Sequence, residues 1–433
     1  MAMQEKYSST TTKRRNSNMM YSKWIIPMAI SFLIGISLVS YLTVHPLKMS
    51  QALFFTCLLF FILIVVLAKA FGGWRLFIAI PLCLVFFLGG YYFKTHHFLS
   101  RDDPRPVPEM TRAKSDLGKG HTAVVYFTHG EPETYDPIGW INQFREFDEQ
   151  KIKFIPFLVR PYFVYMLRDK YLQVGKSDHR SMHKKMIQSL EKMYRDEGDD
   201  STKFYLSFLD DNPRPDAAAI RALNEGASKI IVCEVFLTIS NHTAEGEELI
   251  ENLHIPEKFG IDVKFTGPLW DSETLKSMFV HRANANIGHT DKSKVGILLV
   301  GHGQPDEWDQ EWSTETEQEI AFRQEVIKLL AADGYKRENM SLAWMEFKEP
   351  KPAPKVEEFV KNGIEKLLFF SAAISADAIH SQYDIPDLVH EAKVPEGFPI
   401  INLGAWNDDP IVIKAIKEKI DEHKVSPTID LEK

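Results

Sequence analysis

Two histidines stand in the same short phrase. Thr128-His129-Gly130-Glu131-Pro132 closes the apolar run Val124–Phe127, and Gly301-His302-Gly303-Gln304-Pro305 closes the apolar run Val295–Val300. Imidazole changes charge near neutral pH, so in its neutral form it can accept a proton or ligate a divalent metal. The glycines beside each ring leave room for a ligand to approach. Two further histidines follow later apolar runs, His242 after Ile230–Thr238 and His380 after Leu367–Ile374, and Glu346 ends the run Leu342–Met345. Imidazole with carboxylate suits Fe²⁺, Co²⁺ or Zn²⁺. The candidate catalytic and metal-ligating residues are therefore His302, His380 and Glu346, with His129 and His242 as a second metal-ligating set. No His-x-x-x-His spacing links these candidate residues to one another, which points to a transit site and not to a tight preformed cage.

These side chains meet only if the runs are neighbouring strands of parallel sheets. The runs are short and continuously apolar, as in strands buried on both faces. Each second run follows a helical stretch, 216–225 and 355–362, through related phrases: Glu225-Gly226-Ala227-Ser228-Lys229 and Asn362-Gly363-Ile364-Glu365-Lys366. Later, Gly267-Pro268-Leu269-Trp270-Asp271 is echoed by Gly404-Ala405-Trp406-Asn407-Asp408. Strand and helix alternate through both halves, so the fold class is α/β, with two Rossmann-like lobes of parallel sheet at 121–285 and 292–425. Pro386 with Asp384 and Asp387 marks a helix start, which puts His380 on a strand-to-helix loop at the same sheet edge as His302. Lobe one carries an extra piece, about 131–200, rich in aromatics and bases; it either covers a ligand or packs on its own lobe. The acidic run Asp306, Glu307, Asp309, Glu311, Glu315, Glu317 and Glu319 reads for the most part as a solvated helix face.

Several classes are disfavoured. Phosphotransfer enzymes with a strand-end His-Gly carry an arginine before it, where this chain has Thr128 and Gly301. Neither a Walker-type glycine loop nor a Gly-x-Ser-x-Gly elbow occurs. The net charge of −8 over 433 residues gives no reason to expect nucleic acid as a partner. Of three cysteines, Cys57 and Cys83 lie in very apolar segments and Cys233 stands alone, so the remainder of the chain has neither an internal disulfide nor a cysteine cage for zinc.

The first third differs from the rest. A polar, basic tail (1–23) precedes three apolar stretches, near 24–43, 52–68 and 76–93, that contain no Lys, Arg, Asp or Glu. Each is about long enough to cross a ~30 Å hydrocarbon core. Residues 24–94 are read as three transmembrane helices in a lipid bilayer, and the proline- and charge-rich stretch 95–120 as a linker. Lys13, Arg14, Arg15, Lys69 and Arg75 favour a cytoplasmic amino terminus, while Lys94, Arg101, Arg105, Arg112 and Lys114 favour the opposite orientation. The location is thus a multi-pass membrane protein whose side the charges leave open.

The motifs resemble those of the class II tetrapyrrole chelatases, the superfamily of ferrochelatase and the sirohydrochlorin chelatases. Leu299-Val300-Gly301-His302-Gly303, Trp344-Met345-Glu346-Phe347-Lys348-Glu349-Pro350, and His380 with Asp384-Ile385-Pro386 look most like a sirohydrochlorin cobaltochelatase. His302-Gly303-Gln304-Pro305 and Asn407-Asp408-Asp409-Pro410 resemble ferrochelatase. Ferrochelatases place a glutamate where this chain has His380. The likeness covers about 121–425. It implies insertion of Co²⁺ or Fe²⁺ into a tetrapyrrole, the metal being substrate and no cofactor being permanently bound. His302 would be proton acceptor or first metal ligand, His380 the second, and Glu346 a supporting carboxylate. Arg160 and Arg168 are candidates for binding ring carboxylates. Lobe two has the fuller motif set; His242 lies one position out of register with His380, so lobe one reads as the less complete copy. A porphyrin ferrochelatase, a non-catalytic carrier of metal or haem, and a two-lobed solute-binding protein are the alternatives. Tetrapyrrole precursors and reduced metal ions are cytoplasmic, which leans the large domain to that side.

Overall fold

The computed structural model describes residues 2–102, 105–113, 116, 120–149, 151 and 155–425, without the side chains of 2–22, 146 and 425. The chain divides into two compact units, one of residues 1–103 with 135–172, the other of 104–134 with 173–433.

The first unit contains the apolar helices α1 (Ala2–Thr43), α2 (Met49–Ala70) and α3 (Trp74–Leu99). Within them Lys23–Thr43, Pro46–Ala70 and Trp74–Leu99 are long and apolar enough to cross a membrane. Most large side chains of α2 and α3 face outward, including Phe54, Phe55, Phe60, Phe77 and Phe86. After β1 (Thr122–Thr128) of the second unit, the chain returns to the first unit through α4 (Ile138–Glu149) and the larger part of α5 (Arg160–Val174). Trp140 and Phe144 meet the Phe163 ring at 5.3 and 5.9 Å and close this pair of helices. The extra piece of lobe one is therefore split: 135–172 groups with the apolar helices, and only α6 (His179–Asp196) packs on the lobe.

In the second unit, lobe one continues with β2 (Thr202–Phe208), α7 (Pro215–Asn224), β3 (Lys229–Glu234), α8 (Asn241–Glu251), α9 (Ile255–Phe259), β4 (Asp262–Phe265) and α10 (Glu273–Asn286). Lobe two runs β5 (Val295–Gly301), α11 (Asp306–Asp309), α12 (Ser313–Ala332), β6 (Met340–Trp344), α13 (Pro352–Lys361), β7 (Lys366–Ser371), a π-helical turn (His380–Asp384), α14 (Ile385–His390), β8 (Ile400–Asn402) and α15 (Pro410–Val425). All pairings are parallel, in the orders β2-β1-β3-β4 and β6-β5-β7-β8.

The expected two-lobed parallel α/β architecture is thus present. Alternation along each central strand sorts its side chains between two layers. Ala123, Val125 and Phe127 pack against α7 and α8 residues such as Ala219 and Ile250. Val124 and Tyr126 face the opposite way, into a core that also takes in Ile297, Leu299, Phe322 and Trp406 of lobe two. That core joins the lobes. The last helix of each lobe also lies on the other: α15 packs on β3 and α6, and α10 packs on α12. Arg282 of α10 donates to the carbonyls of Leu403, Ala405 and Trp406 at 2.6–2.9 Å, and Tyr194 of α6 donates to Asp421 of α15 at 2.7 Å.

Candidate functional site

In each sheet the chain leaves the central strand toward opposite edges, so a crevice opens at the carboxyl ends of β1 and β3, and of β5 and β7. His129 and His242 border the first crevice, and His302 and His380 the second. The imidazole centroids are 4.7 Å apart in lobe one and 5.3 Å in lobe two. Each pair therefore meets, and the one-residue register offset of His242 does not separate it from His129.

Backbone hydrogen bonds show the duplication in detail. In lobe one Leu209 and Asp210 donate to the carbonyls of Thr128 and His129, and Phe208 donates to Pro213. In lobe two Met345 and Glu346 donate to Gly301 and His302, and Trp344 donates to Pro350. Asp210 thus stands where Glu346 stands. Its Oδ2 lies 3.5 Å from His129 Nδ1. No motif in the sequence pointed to Asp210; the matching turn was the only signal.

The site in lobe two is the better supported. His302 Nδ1 lies 2.6 Å from the Gly303 carbonyl, which can only accept, so Nδ1 carries the proton and the lone pair remains on Nε2. His380 Nδ1 lies 2.7 Å from Asp384 Oδ2, which fixes that ring in the same tautomer. The loop carrying His380 is anchored twice. Asn407 and Asp377 exchange two hydrogen bonds of 2.9 Å, and the Ile379 N–H donates to Glu131 Oε1 of lobe one at 2.9 Å.

Behind His302 lies a buried ion pair. Glu319 Oε1 accepts the His302 backbone N–H at 2.9 Å, and Arg323 follows one helical turn later at 3.4 Å. Arg323 also donates to the carbonyls of Leu299 and Ala343 and stacks 4.0 Å over the Trp344 ring. Gly301 is required here, since a Cβ would overlap Glu319 Oε1 and the guanidinium. Gly303, at φ +84°, is required because a Cβ would come 2.5 Å from the Glu346 carbonyl oxygen. The reading of the 306–319 acids as a mainly solvated face fails at Glu319, which is fully buried, and at Glu315, where burial and the Glu319 and Asp309 charges push the carboxyl up to about 8. The Glu319/Arg323 spacing of four, one turn of α12, was the signal available in sequence.

Lobe one departs in its supports. His129 Nδ1 meets the Gly130 carbonyl at 2.9 Å, as in its counterpart. His242 Nδ1, however, is buried without a hydrogen-bond partner, whereas His380 has Asp384. In place of the Glu319/Arg323 pair stand His179 and His183, also four apart, with ring centroids at 4.5 Å. His183 bonds the Tyr126 hydroxyl at 2.9 Å and lies 3.3 Å from Thr128 Oγ1.

Burial sets the protonation states. His302 is held down to about 4 by desolvation and the nearby His380, against an opposing pull from Glu346. His242 lies well below its ordinary value through desolvation and the charges of His129 and His302. His183 is lowered to about 3 by desolvation. Burial raises Glu131, and it raises Glu234 at the end of β3 to about 9, with Glu247 adding to the effect. At the rim, His302 and His242 are therefore neutral at pH 7.

Among the described residues no three His, Cys, Asp or Glu side chains are grouped to hold a metal ion. Arg160 and Arg168 are not available for substrate carboxylates. Arg160 is buried and bonded to Asp148, and Arg168 is fully buried and donates to the carbonyls of Tyr41 and Val44. Both belong to the unit of apolar helices, whose side-chain and backbone acceptors claim their charge. A polar hollow of about 310 Å³ is lined by Asp199, Thr202, Tyr205, Arg221 and Glu225 among others; it lies beside the first residues of β2, at the sheet edge opposite the histidines.

The sequence pattern of the family described as Ferrochelatase matches residues 121–424. Among curated proteins none matches. Similar solved structures include SirB from Bacillus subtilis with Fe³⁺, at 12% identity and a TM-score of 0.44, over 70% of this chain and 96% of that one. The sirohydrochlorin chelatase SirB from Bacillus subtilis subspecies spizizenii in complex with cobalt has 12% identity and a TM-score of 0.40, over 70% and 94%. A multi-domain protein from Deinococcus radiodurans, described as similar to chelatases with two additional novel domains, has 12% identity and a TM-score of 0.41, over 72% and 56%. At this distance neither their metals nor their substrates transfer to this chain.

Proposed function

The chain belongs to the ferrochelatase family, and on that premise we propose that it is a membrane-tethered metal chelatase that inserts Co²⁺ or Fe²⁺ into a sirohydrochlorin-type tetrapyrrole at lobe two. The observation that carries this reading is the His302–His380 pair, 5.3 Å apart, with both Nδ1 atoms engaged by acceptors. Insertion exchanges one M²⁺ for the two protons on the ring nitrogens, so the site must hold an ion and take up protons. His302, neutral at pH 7, offers its Nε2 lone pair to the metal or to a departing pyrrole proton. Asp384 stabilises the charge that His380 gains on protonation. Glu346, on the turn hydrogen-bonded to His302, supplies a nearby negative charge. Lobe one retains the strand-end histidine but lacks the carboxylate that would orient its partner, which supports lobe two as the working site. Membrane tethering rests on the three apolar helices.

The test is metal insertion by the full-length protein in detergent, offered sirohydrochlorin or protoporphyrin with Co²⁺ or Fe²⁺ and followed by loss of the free-base spectrum. We expect metallation of sirohydrochlorin, and a loss of about 10²-fold or more in His302→Ala and His380→Ala. Metallation of protoporphyrin alone would move the assignment to a porphyrin ferrochelatase. Tight metal or haem binding without insertion would leave a carrier.

A further inference from the structure

Outside the three membrane-length segments Lys23–Thr43, Pro46–Ala70 and Trp74–Leu99, eight large apolar side chains are strongly exposed among the described residues. Five of them, Leu158, Val159, Tyr162, Met166 and Leu172, fall in one short stretch; the other three, Val107, Ile239 and Phe347, are scattered. Scattered exposure is ordinary, but a concentrated apolar face marks an interaction surface. Tyr162 and Met166, four apart, share one face of α5, and Leu158 and Val159 lead into it from the 3-10 turn Phe157–Val159. Their exposures run from 45% for Met166 to 51% for Tyr162. Further along that face the helix turns polar at Asp169.

The position of this face is fixed by the same unit. Arg168, also on α5, donates to the carbonyls of Tyr41 and Val44 at 2.6 and 2.9 Å. Those are the open carbonyls at the carboxyl end of α1, where a cation is favourable. Its guanidinium lies between the Tyr41 and Tyr165 rings, at 5.4 and 5.0 Å. Tyr135 donates to the Thr43 carbonyl at 3.3 Å. On α3, Tyr91 donates to the Leu158 carbonyl at 2.9 Å, and the Tyr92 ring lies 5.2 Å from Phe157. The start of α5 is thus bound to the last turns of α1 and to the later part of α3. Tyrosines concentrated at one end of apolar spans mark the level of the lipid headgroups.

We propose that the Leu158–Met166 face of α5 lies in the headgroup–acyl boundary of the bilayer, as an interfacial helix continuous with the three spans. The partner is lipid, and the inference rests on the membrane reading above. An interfacial helix needs an apolar face at the boundary. α5 has one, which gives way to the exposed Asp169 further along the helix, and Arg168 ties it to the span beside which it must lie. A second copy of the chain would cover the same face less well, since Tyr92 of α3, itself exposed, meets Phe157 at 5.2 Å and so places a membrane-length span directly beside this face.

The experiment uses the full chain in lipid nanodiscs containing a phospholipid with a photoreactive diazirine near the headgroup–acyl boundary, with adducts located by mass spectrometry. The expected result is adduct yields on 157–167 within about threefold of those on α2. Labelled α2 with clean 157–167 overturns the inference and leaves the spans standing. Clean α2 overturns both the spans and the inference. Chain-to-chain cross-links at Tyr162 or Met166 in place of lipid adducts assign the face to a second copy and also overturn it.

Discussion

Glu319 accepts the backbone N–H of His302 at 2.9 Å, so the strand-end histidine is held from behind by a carboxylate that Arg323 accompanies into the core. Removing one member of such a buried pair strands the other. Glu319→Ala is expected to destabilise the protein by about 3–5 kcal/mol, because Arg323 is left charged with no carboxylate. Thermal unfolding measures this, and an unchanged melting temperature would sink the idea. Gly301→Ala tests the same packing from the strand side, with an expected cost of about 1–3 kcal/mol.

The Asp384–His380 contact separates positioning from folding. Asp384→Asn should leave the melting temperature near that of the parent while slowing insertion about tenfold or more, since the amide neither fixes the tautomer nor balances a protonated ring. The check is metallation rate against pH. If the variant inserts metal at the parental rate across the profile, the carboxylate has no part in the reaction.

The two lobes should respond unequally. His242→Ala is expected to change insertion by less than about threefold, against about 10²-fold for His380→Ala. Equal losses from both substitutions would mean that lobe one works as well, and the partnerless His242 Nδ1 would then need another explanation.

Stability should peak at mildly acidic pH. His302 and His183 are depressed to about 4 and about 3, so what they contribute is fully present above their unfolded value of about 6.5 and is lost as pH falls through the folded values. Glu234 and Glu315 are raised to about 9 and about 8, so what they contribute is fully present below about 4.5 and is lost as pH rises through the folded values. Melting temperature should therefore be highest near pH 6, by about these values, and fall on both sides. Glu234→Gln should flatten the alkaline side, and an alkaline limb unchanged by that substitution would count against the buried acid.

Protease added to intact cells should leave the large domain uncut if it is cytoplasmic, the side where reduced metal ions and tetrapyrrole precursors are available. Digestion of residues beyond 120 in unbroken cells would place it outside and remove it from that supply.

The repeated His-Gly phrases, the continuous apolar runs and the three long uncharged segments were legible in the sequence because they depend on local period and composition. They suffice for parallel strands, for two related lobes and for membrane-length helices. The pairing of His302 with His380 also followed, since a parallel sheet brings consecutive strand ends to one rim. Tertiary structure alone decided what stands behind and beside those rings. Glu319 and Asp210 sit in stretches that read as ordinary surface or turn, and their roles come from which backbone groups the fold leaves for them to bond. Arg160 and Arg168 show the converse. Their charge suggested ligand carboxylates, but the chain between β1 and β2 packs with the apolar helices, and there helix-end carbonyls and Asp148 take up the guanidinium groups. Sequence specifies which side chains carry the chemistry; burial and hydrogen bonding, which depend on contacts between distant segments, decide which of them are free to perform it.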